Sequence, residues 1–417
     1  MSTDTTLSAA AAQPAAKPRS RRMSTSTILL IVAGALVGLS LVHQLANAPD
    51  VTSSGAIQAA LQAAVPLGLA GLGGLWAERA GVVNIGLEGQ MILGTWFGAW
   101  GSLEFGPWIG LLIGILGGAV GGLVHAVATV TFGVDHIISG VAMTILAPGV
   151  VRYLSYITWG SAGATQSPQV VDQVPRLSVP GVNSLKGLEE HQWFLISDIA
   201  GVLRGLLHEV SLVTILAVLL IPLTAWVLWK TAFGLRVRSV GEDPQAAESL
   251  GLNVYRYKYY GVVISGAMAG LGGVYLSTVT SAIYREGQTG GRGYIGLAAM
   301  IFGNWRPGGL AVGASLFGYT DALQLRRGSE SVHALLILVG ALLLALAVWE
   351  FIRRNRVVAI SSAVLGVLSY VLFFSVDKIP TALVQAAPYI TVLVVLALAA
   401  QRLRPPAADG KPYRRGG

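Results

Sequence analysis

Residues 233–254 read FGLRVRSVGEDPQAAESLGLNV, a charged island between two long apolar runs. It holds Arg236, Arg238, Glu242, Asp243 and Glu248, and its middle carries the end marks of a short helix. Asp243 can accept a first-turn backbone N–H through its carboxylate. Pro244 fits the first helical position, where its missing N–H is no loss. Gly251 fits the left-handed residue that closes a helix. Between these ends Ala246, Ala247 and Leu250 make a small apolar face. Such a helix either packs on its own bundle or receives a partner, and the spacing leaves both readings open. The apolar runs on either side decide the fold, because each is long enough to cross a bilayer as a helix.

Composition agrees. Of 417 residues, 53% are hydrophobic and 12% charged, and the mean hydropathy is +0.65. This is the balance of an all-α polytopic membrane bundle, not of a soluble domain. The 53 glycines suit close helix approach in lipid. With no cysteine there is no disulfide, thiolate metal site or redox motif. The net charge of +8 sits at the ends of apolar runs. That is the orientation signal of a membrane protein, so nucleic acid is not expected as a partner.

Working outward, residues 1–27 are rich in Ala, Ser, Thr and Pro and end in Lys17, Arg19, Arg21 and Arg22. They read as a disordered basic cytoplasmic tail. Residues 28–45 form the first apolar run. Ala46-Asn47-Ala48 resembles a signal-peptidase site, but the run is longer than a usual signal core and Pro49 follows the cut, so an uncleaved span is expected. Further runs lie at 56–76 (expected broken at Pro66), 82–100, 108–132 and 137–158. The long polar stretch 159–209 reads as an external loop with a surface helix near 193–207. Residues 210–229 return the chain to a cytoplasmic loop, 230–257, bracketed by Lys230, Arg236, Arg238, Arg256 and Lys258. The span 259–282 follows. Residues 294–304 are too short to cross a core of ~30 Å. Runs at 310–325, 333–351, 357–376 and 383–400 complete the bundle, and Arg353, Arg354 and Arg356 anchor an inside turn. Only Arg326 and Arg327 break the charge rule. The transmembrane domain is thus 28–401, with roughly 10–12 transmembrane segments, broken helices and a basic cytoplasmic tail at 402–417, both termini inside.

Asn84-Ile85-Gly86-Leu87 with Met91 to Gly94 beyond echoes Tyr294-Ile295-Gly296-Leu297 with Met300 to Gly303 beyond. The two copies run in opposite directions through the bilayer, the mark of an inverted repeat that frames a substrate site; chance likeness in glycine- and leucine-rich sequence is the alternative. Glu88 is an acid inside an apolar run. It either lines the path or ties a helix break to a neighbouring backbone. Asn84, Gln90 and Asn304 can hydrogen-bond a polar solute, and Trp96, Tyr294 and Trp305 can stack on one, though Trp also anchors membrane interfaces. No metal-ligand spacing, phosphate loop, H-E-x-x-H or G-x-S-x-G occurs, so no cofactor, metal or catalytic residue is expected.

ERAGVVNIGLEGQM, residues 78–91, resembles the signature of permeases in ABC importers for nucleosides and simple sugars, within the wider branched-chain amino acid and ribose permease family. Residues 234–252 resemble the coupling loop of that family, 258–273 the helix after it and 293–307 its late broken helix. The resemblance implies a bacterial inner-membrane permease subunit with no ATPase site of its own. It implies two permease chains, related or identical, over an ABC ATPase, with an extracytoplasmic substrate-binding lipoprotein. Gly234, Arg236, Gly241, Glu242, Asp243, Pro244, Ala246, Ala247, Leu250 and Gly251 then become candidates for coupling to the ATPase. The expected cargo is a small neutral polar solute, a nucleoside, with a ribose-like sugar as alternative. An ion-coupled secondary transporter is the rival class, for which Glu88 alone is thin support.

Overall fold

The computed structural model describes residues 25–326, 328–376, 379–399 and 403–414. The expected basic tail, residues 1–27, lies outside them except for Thr25 to Thr27. Sixteen α-helices and one two-stranded sheet make up the described chain. The first group is α1 (Thr25–Ala46), α2 (Ser54–Arg79), α3 (Leu87–Phe105), α4 (Pro107–Ala126) and α5 (His136–Trp159). A polar segment follows with β1 (Arg176–Leu177), α6 (Leu185–Glu190), α7 (Ile196–Leu207) and β2 (Val210–Ser211), whose strands pair antiparallel. Then come α8 (Leu212–Lys230), α9 (Ala232–Glu242), α10 (Pro244–Ser249) and α11 (Val254–Tyr275). The last group is α12 (Arg292–Phe302), α13 (Pro307–Leu325), α14 (Gly328–Ile352), α15 (Arg356–Ser375) and α16 (Thr381–Ala399).

Among the described residues, seven helices are long and apolar enough to cross a membrane: α2, α4, α5, α8, α11, α14 and α15. Shorter apolar stretches lie in α1, α12 and α16. The expected count therefore divides into full spans and shorter or more polar helices packed among them. Two sequence expectations change. Pro66 does not break its helix, which continues for 26 residues. The run expected from Val82 starts its helix only at Leu87, because residues 80–86 are non-helical.

The centre is a reciprocal arrangement of two triplets. Helices α2 and α11 lie antiparallel, with Gly73 against Ser265 and Gly261 against Trp76. Each packs on the helices that follow the other. Helix α2 runs parallel to α12 (Gly71 on Gly296) and antiparallel to α13 (Gly68 on Ala314, Gly318 on Ala64). Helix α11 runs parallel to α3 (Gly94 on Gly270) and antiparallel to α4 (Gly118 on Gly266). A Cβ on Gly118 would fall 2.4 Å from both Gly266 O and Gly270 Cα, so only glycine permits this approach. Both triplets place a non-helical stretch, 80–86 and 281–291, before a helix that starts inside the bundle. Asn84 reaches Ser265 Oγ, roughly 16 Å along α11 at 1.5 Å per residue.

Candidate coupling surface and translocation residues

Thr231 Oγ1 accepts the amide of Gly234 and starts α9. Gly234 and Gly241 lie where a Cβ would meet the backbone of Val227 and Arg79, so α9 sits tight under the bundle. Arg238 donates to Leu228 O at 2.8 Å and stacks over Trp229; Arg236 reaches Tyr257 OH at 3.2 Å. Arg238 holds the turn, whereas Arg236 stays exposed on it. Glu242 faces Arg79 at 3.7 Å. Asp243 Oδ1 accepts the amide of Ala246 at 3.0 Å, Pro244 opens α10, and Gly251 has φ +81°, as the residue types dictate. The apolar face of α10 is divided, however. Ala247 is buried among Val240 and Val254, whereas Ala246 is exposed and Leu250 is 83% exposed. The helix packs with one residue and presents two others.

The basic tail lies across this surface. Arg404 N donates to Asn304 Oδ1 at 2.8 Å, Ala407 N to Glu242 Oε2 at 3.2 Å and Ala408 N to Gly241 O at 3.0 Å. Tyr413 bonds the Glu248 carboxylate and packs its ring edge on Tyr255 at 5.5 Å. Asp409 lies against Glu78, with Lys258 and Arg79 in charge range, and burial pushes its carboxyl up to about 6. Between this strap and the start of α10 is a cleft of about 620 Å³, walled by Glu242, Asp243 and Gln245 on one side and Lys411 and Arg414 on the other. Basic composition alone had marked 402–417 as a tail; what binds it is backbone N–H pairing, which leaves no sequence pattern.

The seven residues offered for the solute path do not converge on one pocket. Asn84 and Gln90 are fully buried and bond each other, and Asn84 also bonds Ser265, a partner not singled out from the sequence. Glu88 accepts the amides of Gly291 at 2.8 Å and Gly293 at 2.7 Å, across the first turn of α12. Those amides are the unpaired donors at the positive end of the helix, so the carboxylate is matched in charge and in hydrogen bonds. Trp96 is buried in an aromatic cluster, stacked on Trp100 and bonded to Ser155 Oγ. Tyr294 is 42% exposed on α12. Asn304 and Trp305 stand far from these, in a corner with successive positive φ angles of 54° and 53°. There Arg79 donates to Trp305 O and Trp305 Nε1 donates to Glu78. That corner is part of the surface under the strap, not part of the interior polar group.

The family described as branched-chain amino acid transport system, permease component, matches residues 56–347. The chain belongs to that permease family. The match covers the two reciprocal triplets and α9–α10, and leaves α1, α15, α16 and the strap outside. Among curated relatives, this permease is 37% identical to the guanosine ABC transporter permease protein NupQ of Bacillus subtilis, over 64% of this chain and 81% of the relative. It is 33% identical to the nucleoside ABC transporter permease protein NupC of Lactococcus lactis, over 84% and 93%. It is also 34% identical to a putative glucose ABC transporter permease of Haloferax volcanii, over 67% and 80%. No solved structure matches the permease significantly. With that family, the seven described helices long and apolar enough to cross a membrane make it a multi-pass membrane protein.

Proposed function

We propose that this chain is the membrane subunit of an ABC importer that carries a nucleoside across a bacterial plasma membrane, driven by a separate ATPase. The observation that carries the reading is the likeness to permeases named for guanosine and for nucleosides, over 81% and 93% of their lengths. The charges inside the bundle suit a neutral solute. Glu88 is matched by backbone amides and Arg292 is paired with Asp321 at 3.0 Å, so each is already compensated within the chain. In this reading α9–α10 and both termini are cytoplasmic, and Ala246 and Leu250 meet the ATPase. A second permease chain completes the path, and an extracytoplasmic lipoprotein delivers the solute. A sugar is the second reading, favoured by the glucose permease relative.

Uptake of labelled guanosine by cells that express the chain with its ATPase, sister permease and lipoprotein tests this. Uptake that adenosine and cytidine compete away, and that vanishes without the ATPase, is expected. Competition by a free pentose or glucose but by no nucleoside selects the sugar reading. Uptake that persists without the ATPase overturns both.

A further inference from the structure

Helix α7 is amphipathic in the reverse sense of an ordinary surface helix. Its polar and small residues face the protein. Asp198 is 1% exposed and accepts hydrogen bonds from Ser40, Thr52 and His43. Gly201 and Gly205 lie where a Cβ would meet Thr52 O and Ser54 O at 2.5 and 2.6 Å. Arg204 donates to Ser54 Oγ and pairs with Glu189 at 3.0 Å, and Glu189 in turn accepts the amide of Ser54. Its outer face is Ile196, Ile199, Leu203 and Leu206, continued by Trp193 and Phe194, all exposed. A helix in water would bury this stripe and expose the other.

The pins also set its depth. Ser40 Oγ holds both Asp198 and the amide of Leu195, and Ser40 lies six residues before the end of α1 at Ala46. At 1.5 Å per residue, α7 therefore begins roughly 9 Å below the end of that apolar helix. Helices that rest in a membrane interface bury their apolar face about 5–10 Å into the headgroup and acyl boundary. Trp193 sits at the start of the stripe, and Trp is the residue enriched at that level. The next residues continue through β2 directly into the span α8.

We propose that α7 lies in the plane of the outer membrane interface with Ile196, Ile199, Leu203 and Leu206 in lipid, pinned from behind by Asp198 and Arg204. The segment 160–209 is then not a free loop. It is a collar that fixes the outer ends of α1 and α2 at a set height in the bilayer. Ser40, Thr52 and His43 give the Asp198 carboxylate three hydrogen bonds, so the buried pin is satisfied within the protein.

The chain has no cysteine, so single-cysteine variants need no background changes. Spin labels at Ile199→Cys and Leu203→Cys, in vesicles of phosphatidylethanolamine and phosphatidylglycerol, read the environment directly. The ratio of oxygen to nickel-chelate accessibility is expected to lie below that of a label at Val120→Cys, exposed mid-way along α4, and above that at Lys186→Cys on the polar helix α6. A label open to the nickel chelate overturns the proposal and marks a water-facing docking surface. A label closed to both reagents also overturns it and marks a protein–protein contact. Both sites are already exposed, so the substitutions leave folding intact; retained uptake by the same variants checks this and is independent of where the label lies.

Discussion

Ala247, on the six-residue helix α10, and Leu250, the residue that caps its C-terminal end, stand three residues apart and point to opposite environments, one 2% and the other 83% exposed. A charge therefore has different effects at each. Leu250→Asp is expected to leave melting within about 0.5 kcal/mol of the parent, since the site touches solvent, while abolishing ATPase co-purification and uptake. Ala247→Asp buries an unpaired carboxylate and is expected to cost several kcal/mol and lower the yield of folded protein. Thermal melting and pull-down of the two variants side by side decide it. Normal uptake in Leu250→Asp would remove α10 from the partner interface.

The strap titrates. Burial raises Asp409 from 3.8 to about 6, with Glu78, Arg79 and Lys258 facing it. The docked form keeps a proton that the released form gives up, so docking is strongest below pH 3.8, weakens as pH rises through about 6, and levels off above. A fluorophore at Lys411→Cys is expected to gain mobility across that window. Asp409→Asn should flatten the profile and keep the strap docked. An unchanged profile in that variant would assign the titration elsewhere.

Removing the Glu88 carboxylate orphans two amides. Glu88→Ala is expected to cost roughly 1–3 kcal/mol for each donor left unsatisfied. Glu88→Gln, which keeps one acceptor, should lose about half as much. Melting in detergent ranks the three proteins. If uptake falls in Glu88→Gln while melting does not, the acid contacts solute as well as backbone.

Gly266→Ala drives a Cβ to 2.4 Å from Gly118 O, and both partners are backbone. Overpacking of this kind costs typically ~1–3 kcal/mol. Gly149→Ala, on α5 with nothing within 4 Å, is the matched control and should melt as the parent does. Equal melting of the two would show that α4 and α11 can separate freely.

Reporter fusions after residue 417 and between 181 and 190 are expected on opposite sides of the membrane. The same side for both would overturn the proposed orientation.

Local chemistry was legible in the sequence. Asp243, Pro244 and Gly251 act at the ends of α10 through preferences that need no tertiary context. The direction of a face was not legible. In a membrane protein the core and the lipid are both apolar, so periodicity tells which residues share a side but not which way the side turns. Hence Ala247 and Leu250 read as one face, and α7 read as an ordinary surface helix. The strap was hidden for another reason: its amides pair with Gly241, Glu242 and Asn304, and any sequence could supply those amides. The candidate path residues divided because Asn84, Gln90 and Glu88 satisfy one another or nearby groups, which residue type alone does not reveal.

Glu88 and Gly291 are 203 residues apart in the chain. At a synthesis rate of ~5–20 residues per second, the partner of this acid leaves the ribosome about 10–40 s after the acid itself. For that interval α3 holds a carboxylate whose final donors do not yet exist. The helix that starts inside the finished bundle is thus without these donors until the second triplet is made.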